Sequence, residues 1–495
     1  MLLWYSRLPG GLDRLVDVPS EDYEEIAIRQ AGEIASLRSE NSELKETVTT
    51  LERRIAELEE RLGRNPRNSS MPPSLEGLSK PPPANRAERR RQKRNPGKQP
   101  GSEGRHLAQV LRPDEVIVHR PGTCGSCGGD LTGAEVVSAE TRQVFEMPKV
   151  RAHVTEHQMQ KVRCACGSET KAIAPKEATA PACYGPGIRA LAVYLSVYQH
   201  VPYDRLAEIF SDLVQIPVSV GAIASMVKEA GGGLGLFRSV VSELLLEAPS
   251  VHFDETGARV EGSLHWVHVA ATSLYTLLHC HKKRGGIALD DVGVIAKMKG
   301  VAVHDGFKSY RRYDVVHGLC NAHHLRELQG VIDHFDQDWA AEMIDLLLDA
   351  KQAVEDAVAK GHHRLDKKTL EKIRERYDDL IEEGWDANWA SVARAEGKWY
   401  RSNAQNLVNR LDNHRDDVLR FATNFEVSFD NNQAERDVRL IKLQQKISGS
   451  WRTKAGADNF CAVRSYVSTM KKHHQDVLEG LRRLFQGRVW LPGGT

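Results

Sequence analysis

The sequence predicts an α/β protein whose largest part is a sheet-based core with a helical insertion. Three observations support this prediction. Apolar residues recur every seven positions in residues 22–63, cysteines form two close pairs within residues 111–175, and strand-like segments follow one another from Ser250 onward. We therefore expect a coiled coil, a small cysteine-containing module, a helical region and an α/β domain, in that order.

The composition excludes several classes of protein. The 495 residues suggest about three domains, and 41% hydrophobic with 27% charged residues is typical of a globular protein. No apolar run reaches the roughly 18 residues of a membrane span, and Met1–Tyr5 lacks the features of a signal peptide. The net charge of +1 means that any affinity for a polyanion depends on local charge arrangement. We expect a cytoplasmic protein without a membrane partner.

Residues 22–63 carry the heptad pattern of a leucine zipper. The d positions are Leu37, Leu44, Leu51 and Leu58, and the a positions are Ile34, Asn41, Val48, Ile55 and Leu62. The g–e pairs Glu33–Arg38, Glu40–Lys45 and Arg54–Glu59 are opposite in charge. This pattern predicts a parallel homodimeric coiled coil. The alternative is a helix packed against its own chain.

A basic, Pro/Gly-rich linker is predicted for residues 64–110. Its prolines and glycines interrupt helices, and it has too few apolar residues to form a core. Its basic residues include Arg89, Arg90, Arg91, Lys93 and Arg94. We expect them to bind DNA phosphates with a salt-dependent affinity. The alternative is a solvated linker without a ligand.

Residues 111–175 contain two cysteine pairs, Cys124-Gly-Ser-Cys127 and Cys164-Ala-Cys166. Segments Gln143–Met147 and Val154–Val162 are predicted strands between them. Cysteine pairs at turn tips favour one structural Zn²⁺ in a zinc-ribbon-like module. Four free thiols are the alternative, because the second pair is spaced more tightly than is usual for zinc ligands.

Residues 180–240 are predicted to be helical. Gly187–His200, Pro202–Leu213 and Ser219–Ala230 show helical patterns, and Ser219 is the expected N-cap of the third helix. Helices of this length joined by a short turn are compatible with a helix-turn-helix-like DNA-binding region. A small helical bundle without DNA contacts gives the same pattern.

The α/β domain is assigned to residues 248–487. Val251–Asp254, Leu264–Thr272 and Tyr275–His281 are predicted antiparallel strands, followed by a helix at Leu289–Lys299 and a strand at Gly300–His304. This order matches the start of a ribonuclease H-like sheet, in which the first and fourth strands are neighbours. Charged helical sequence at about 338–424 is then an insertion in this domain.

Three carboxylates are placed where such a sheet would bring them together. Asp254 and Asp305 end the first and fourth strands, and Glu435 lies at the start of a later helix. We predict that they hold two Mg²⁺ or Mn²⁺ ions, which prefer oxygen ligands and support phosphoryl transfer. Glu255 and Asp430 are alternative ligands, and Asp430 is equally compatible with a helix N-cap.

Positive side chains accompany the predicted metal ligands. Arg439 and Lys442 follow Glu435 by four and seven residues, so all three share one helix face. We predict that Arg439, Lys442 and His323 contact DNA phosphates. Pairing with Glu435 is the alternative for the first two.

Several motifs together resemble the transposases of the insertion sequence 66 family, a branch of the DDE transposases. They are Asn68-Ser-Ser-Met-Pro-Pro-Ser74, Asn95-Pro-Gly-Lys-Gln-Pro-Gly-Ser-Glu-Gly104, the cysteine pairs, His252-Phe-Asp-Glu-Thr256, Val303-His-Asp-Gly306, Cys320-Asn-Ala-His323, Asp430-Asn-Asn-Gln-Ala-Glu435 and Ser448-Gly-Ser-Trp-Arg-Thr453. The zinc element of this family usually has two Cys-x-x-Cys pairs, from which Cys164-Ala-Cys166 departs.

The resemblance implies a catalytic triad of Asp254, Asp305 and Glu435. It also implies binding of element ends, metal-dependent strand cleavage and strand transfer to target DNA. Implied partners are both DNAs and accessory proteins of the same element, in the bacterial nucleoid. The alternatives are a ribonuclease H-like nuclease without strand transfer and a catalytically inactive dimeric DNA-binding protein.

Overall fold

A computed structural model describes residues 20–65, 67–69, 107–175, 177–389, 393–395, 398–400 and 402–493. Most of the basic linker, including Arg89, Arg90, Arg91, Lys93 and Arg94, lies outside the described residues. The DNA contacts expected of those five side chains therefore stay a prediction.

The N-terminal segment is one continuous helix, α1 (Ser20–Gly63), as its heptad pattern predicts. Its apolar residues are exposed along the helix: Leu37, Leu44 and Leu51 are each more than half accessible. Exposed leucines at this spacing form a stripe that the rest of the described chain leaves uncovered.

The cysteine-containing module has little regular structure. Strands β1 (Lys161–Arg163) and β2 (Glu169–Lys171) form an antiparallel hairpin whose turn carries Cys164 and Cys166. The predicted strand at 143–147 and most of that at 154–162 are wrong, because these residues are irregular. Alternating side chains there have no second layer to pack against, and Val144 and Val154 are exposed.

Four helices precede the sheet: α2 (Pro186–Val193), α3 (Tyr203–Ile209), α4 (Val220–Gly232) and α5 (Gly235–Leu246). The predicted helices are present, and π-helical turns at Tyr194–Tyr198 and Phe210–Val214 extend α2 and α3. The Ser219 Oγ accepts the Ala222 N–H at 3.1 Å, which confirms the predicted N-cap. Phe210 and Phe237 are buried in one core together with the sheet.

The sheet has five strands: β3 (Ser250–Val260), β4 (Ser263–Ala271), β5 (Thr276–His281), β6 (Val301–His304) and β7 (Val316–Leu319). Their order is β5-β4-β3-β6-β7. β3, β4 and β5 are antiparallel, whereas β6 is parallel to β3 and β7 is parallel to β6. The predicted antiparallel trio and the adjacency of the first and fourth strands are confirmed, while β7 was not predicted.

The connection between β5 and β6 differs from the prediction. Its helix, α6 (Gly286–Val292), ends at Gly293, whose φ of +74° is a left-handed conformation that favours glycine. The predicted helix at 289–299 is therefore wrong beyond Val292. Gly300 then passes so close to the chain that a Cβ there would lie 2.1 Å from the Ala248 carbonyl oxygen.

The segment after β7 is mainly helical, as expected, with one unpredicted hairpin. Its elements are α7 (Asn321–Phe335), α8 (Asp338–Ala359), α9 (Lys367–Asn388), β8 (Ala393–Ala395), β9 (Lys398–Tyr400), α10 (Asn403–Asn413), α11 (Arg415–Val418) and α12 (Arg420–Thr423). Among the described helices, none combines the length and the apolar character needed to cross a membrane.

Three helices complete the chain: α13 (Asn432–Ser448), α14 (Lys454–Lys472) and α15 (Val477–Phe485). α13 packs on β3 and β4, and α14 packs on β5 and α4. Between them, Trp451 donates its backbone N–H to the Arg259 carbonyl at 3.2 Å and accepts the Glu261 N–H at 2.9 Å. Through these two hydrogen bonds the Ser448–Thr453 motif connects the C-terminal helices to the end of β3.

Two compact units are distinguished. The described parts of residues 1–75, 325–345 and 379–408 form one, and those of residues 76–324, 346–378 and 409–495 form the other. Within the first unit, buried Asn68 donates to the Asp333 carboxylate at 3.2 Å. A Cβ at Gly330 would lie 2.3 Å from the Asn68 carbonyl oxygen, so the Asn68 motif requires a glycine on α7. The sheet and all three predicted catalytic carboxylates belong to the second unit.

Candidate active site

The pairing of β3 with β6 brings two of the predicted carboxylates side by side. The register pairs Ser250 with Val301 and His252 with Val303 in parallel. Asp254 and Asp305 each lie two residues beyond the last pair. Because both strands run in the same direction, the two residues are neighbours across this strand pair. Asp305 directly follows β6, whereas Asp254 lies within β3, so the prediction that Asp254 ends its strand is wrong.

A tight turn after β6 fixes Asp305. Gly306 has a φ of +91°, and its N–H donates to His304 Nδ1 at 3.0 Å. The Phe307 N–H donates to Asp305 Oδ1 at 2.9 Å. The Asp-Gly sequence therefore orients the carboxylate through its own backbone.

Two neutral histidines support this turn. Since His304 Nδ1 accepts the Gly306 N–H, its Nε2 carries the proton and donates to His317 Nδ1 at 3.0 Å. His317 Nε2 then donates to the Tyr313 carbonyl at 3.3 Å. Burial lowers the pKa of both histidines, which is consistent with this neutral chain.

Asn431 attaches the start of α13 to the first half of β3. It is fully buried, its Nδ2 donates to the Phe253 carbonyl at 2.7 Å, and its Oδ1 therefore accepts from His252 Nδ1 at 2.9 Å. Its backbone N–H donates to Cys320 Sγ at 3.1 Å. Glu435 lies one helical turn further and is thereby held near the part of β3 that carries Asp254.

The electrostatics of Asp254 show that the carboxylates share one region. Burial raises its pKa well above the ordinary value, and the charges of Glu255, Asp305 and Glu435 raise it further. Within the described part of the chain, no Lys, Arg or His forms an ion pair with Asp254. Asp254, a carboxylate surrounded by other negative charges, is suited to a divalent cation, and its oxygen donors suit Mg²⁺ or Mn²⁺.

Glu255, one alternative ligand, is engaged in other contacts. The Tyr310 hydroxyl donates to its Oε2 at 2.5 Å and Arg284 Nε to its Oε1 at 2.8 Å. The Arg284 guanidinium in turn lies 4.0 Å from the ring centre of Phe307. Burial, followed by the charge of Asp305, raises the pKa of Glu255. Glu255 is therefore subject to the same negative charge as Asp254. Its bonds nevertheless hold the turn after β6 against β3.

Asp430, the other alternative, is half-buried and closes a local turn. Its Oδ1 accepts the backbone N–H of Asn432 at 3.0 Å, and its Oδ2 accepts from the Asn432 side chain. Asp430 thus helps to start the helix, but the N-cap position itself is Asn431. The charge of Asp430 is absent from the main causes of the shifted Asp254 pKa, whereas that of Glu435 is among them.

The predicted DNA-contacting side chains differ in their surroundings. His323 Nδ1 lies 3.7 Å from Glu435 Oε1. Lys442 Nζ donates to the Gly257 carbonyl, and burial lowers its pKa. Arg439 is exposed. DNA contacts by these three residues stay predictions.

Sequence reasoning missed three residues of this region. Asn431 had a signal, the repeated amides of Asp430-Asn-Asn, but its partners come from elements distant in sequence. No sequence pattern indicated Tyr310 or Arg410. Burial lowers the pKa of Arg410 and the charge of Asp305 opposes this shift, which places the guanidinium in the field of the site.

The cysteine module has acidic thiols. The side chain and backbone of Ser168 lower the pKa of Cys166 to about 7, and backbone N–H groups of Cys127 and Ser126 lower that of Cys124. All four cysteines are without disulfides. Thiols that readily deprotonate are suited to bind metal.

Comparisons with protein families identify the family of this chain. Residues 181–459, more than half of the chain, match the model described as Transposase IS66 family. Residues 121–167 match the zinc-finger binding domain of transposase IS66, and residues 22–108 match a family of unknown function (DUF6444). No curated protein matches. With its sheet, its carboxylates and these two transposase matches, the chain belongs to the IS66 transposase family.

Proposed function

We propose that this protein is a DDE-type transposase that binds insertion-sequence ends, cleaves a DNA strand and transfers the new 3′ end to target DNA. The observation that carries the proposal is the adjacency of Asp254 and Asp305 on parallel strands, with the charge of Glu435 acting on Asp254. Family membership supplies the class, a transposase.

The strand order supports a ribonuclease H-like core. Numbered within the sheet, the order is 3-2-1-4-5, with the first three strands antiparallel and the last two parallel to the first. The helix bearing Glu435 follows the mainly helical insertion and packs on the central strand β3. The carboxylates thus come from two adjacent strands and one helix.

Asp254, Asp305 and Glu435 would hold two Mg²⁺ or Mn²⁺ ions. Such ions supply an activated nucleophile and stabilise the leaving oxygen in displacement at phosphorus. The protein's own contribution is positioning. The turn at Gly306 orients Asp305, and Asn431 holds the helix of Glu435 against β3.

Phosphate binding is assigned to side chains around this edge of the sheet. Arg439 is exposed on the face that carries Glu435, and Lys442 lies three residues further on the same helix. His323 is close to Glu435. Charge-assisted bonds from these groups to phosphate would align the scissile strand.

The N-terminal regions would deliver DNA and pair two copies of the chain. The exposed leucine stripe of α1 fits a parallel homodimer. Element ends would be contacted by the cysteine-containing module, the helices at 186–232 and the basic linker. The cysteine-containing module would hold one Zn²⁺ through Cys124, Cys127, Cys164 and Cys166. The protein would act on DNA in the cytoplasm, associated with the nucleoid.

A joining assay separates this proposal from its rivals. Purified full-length protein is incubated with Mg²⁺, labelled DNA that carries the element's own ends, and a supercoiled target plasmid. Transposase activity produces labelled plasmid, a nuclease produces only nicked or linear DNA, and an inactive DNA-binding protein produces neither. Asp305→Asn should abolish joined products by at least about 10³-fold, because several kcal/mol of transition-state stabilisation are lost.

The matched control is Asp430→Asn, which changes a half-buried carboxylate of the same region that serves a local turn. It should retain most activity. Equal loss in both variants, or hydrolysis without joining in the wild type, would contradict the proposal.

A further inference from the structure

Three side chains next to the predicted catalytic site form a cluster of a different chemical kind. Cys320, His323 and Glu435 each offer one ligand atom, and these atoms all lie within 4.8 Å of one another. Cys320 directly precedes α7, His323 lies three residues along the chain, and Glu435 belongs to α13. Helix packing, not a single loop, therefore assembles the cluster.

The donor set is sulfur, nitrogen and oxygen. Mg²⁺ prefers oxygen alone, whereas Zn²⁺ accepts thiolate, imidazole and carboxylate together. His323 Nδ1 and Glu435 Oε1 are 3.7 Å apart, longer than a normal hydrogen bond. Nitrogen and oxygen bound to one tetrahedral zinc are separated by about 3.4 Å. A small closure would bring both atoms to one ion.

The surroundings of Cys320 suit a metal thiolate. Its Sγ accepts the Asn431 backbone N–H at 3.1 Å, a contact that stabilises negative charge on sulfur. Cys320 is buried, while the side chains of His323 and Glu435 are 15% and 19% exposed, so an ion has access from their side. Burial raises the pKa of Cys320 to about 12, so the metal-free group is a thiol.

We propose that Cys320, His323 and Glu435 form a second zinc-binding site, distinct from the four-cysteine module. As the sulfur–zinc bond forms, the thiol proton passes to solvent, and water occupies the fourth coordination position. Glu435 is shared with the proposed Mg²⁺ site, so bound zinc withdraws a ligand from catalysis. The inhibitory consequence rests on the proposed function, whereas zinc binding does not.

Zinc stoichiometry of the full-length protein tests the site directly. Protein equilibrated with a slight excess of Zn²⁺ and freed of unbound metal should contain one more zinc per chain in the wild type than in Cys320→Ser. Serine retains an oxygen acceptor for the Asn431 N–H but does not replace the thiolate. Cys280→Ser is the matched control, since Cys280 is also a buried cysteine of the sheet domain, on β5. It should retain the wild-type zinc content.

Cobalt provides a second readout. Co²⁺-loaded wild type should lose part of its thiolate-to-cobalt absorption in Cys320→Ser and none in Cys280→Ser. His323→Asn should lower zinc content in the same way. If Cys320→Ser does not fold, His323→Asn tests the site in its place. Identical zinc content in the wild type, Cys320→Ser and His323→Asn would overturn the proposal.

An activity arm distinguishes this inference from the proposed function. If the wild type joins DNA, Zn²⁺ should inhibit it and excess Mg²⁺ should reverse the inhibition, with less inhibition of Cys320→Ser than of the wild type. Equal sensitivity of the two proteins would overturn the inhibitory role. An extra zinc in a protein that never joins DNA would support the site and contradict the proposed function.

Discussion

Helix α13 carries two carboxylates, two residues apart, in opposite electrostatic surroundings. Asp437 accepts from Lys472 Nζ and from Thr276 Oγ1, both at 3.0 Å, and its charge is compensated. Glu435 instead adds to the negative field at Asp254, where Asp305 and Glu255 also contribute. The protein thus neutralises the charge of Asp437, whereas the charge of Glu435 adds to that of the neighbouring carboxylates.

The difference indicates what each carboxylate contributes. A buried charge costs several kcal/mol unless a partner compensates it, so the Asp437–Lys472 pair is understandable as a fold-stabilising contact once both groups are buried. Asp254 has no ion-pair partner among the described residues, and the repulsion from its negative neighbours lowers the stability of the metal-free protein. The presence of these neighbouring carboxylates in the folded protein is explained if a cation provides the missing positive charge.

The largest expected effect comes from breaking the compensated pair. Asp437→Asn leaves the Lys472 ammonium buried without its counter-charge, so the free energy of unfolding should fall by about 3–5 kcal/mol. Urea unfolding measures this change. Thr276→Val, which removes only a neutral hydroxyl donor from Asp437, should cost less, about 1–3 kcal/mol. A neutral result for Asp437→Asn would show that the pair is not a stabilising contact.

Acid should create new uncompensated charges by protonating buried histidines. Burial lowers the pKa of His268 from 6.5 to about 4. Such a group contributes stability above pH 6.5 that is lost as the pH falls towards 4, with a slope approaching about 1.4 kcal/mol per pH unit. Urea unfolding at several pH values should therefore show a flatter acid limb for His268→Gln than for the wild type. Parallel curves would exclude His268 as a contributor.

Neutralising the uncompensated cluster should have the opposite sign to Asp437→Asn. Asp254→Asn removes a repelled negative charge, so the metal-free protein should gain about 0.5–2 kcal/mol of stability while losing joining activity. Glu255→Gln is the matched control on the next residue. It weakens the bonds to Arg284 and Tyr310 and should lower stability by about 1–3 kcal/mol. Destabilisation by Asp254→Asn would contradict the comparison.

The smallest effect concerns phosphate binding beside the cluster. If exposed Arg439 neutralises one DNA phosphate, Arg439→Gln should reduce the slope of log affinity against log salt by about 1. Fluorescence anisotropy with end-containing DNA at several salt concentrations measures the slope. Arg482→Gln is the control, because Arg482 is also exposed and pairs with Glu479 on α15. Equal slopes for Arg439→Gln and the wild type would mean that Arg439 faces solvent.

The sequence predicted best where a local pattern determines the structure. The heptads of α1, the Ser219 cap and the adjacency of Asp254 and Asp305 follow from periodicity, capping chemistry and strand order. It failed at 143–147 and 154–160, where alternating residues do not pack into a sheet. Local patterns also could not reveal Asn431, whose hydrogen-bond partners lie more than 100 residues away. Lys442 and its Gly257 partner are separated by 185 residues.

Metal-dependent stabilisation tests the central assignment most directly. Thermal unfolding of DNA-free protein that carries one zinc per chain, in the four-cysteine module, and no excess zinc is followed while Mn²⁺ is added. Binding to the folded state alone stabilises by about 2.7 kcal/mol at a hundredfold excess of ligand over the dissociation constant. The wild type and Asp430→Asn should show this rise in melting temperature, and Asp254→Asn and Asp305→Asn should show little or none. An equal rise in all four proteins would contradict the claim that these aspartates hold the metal.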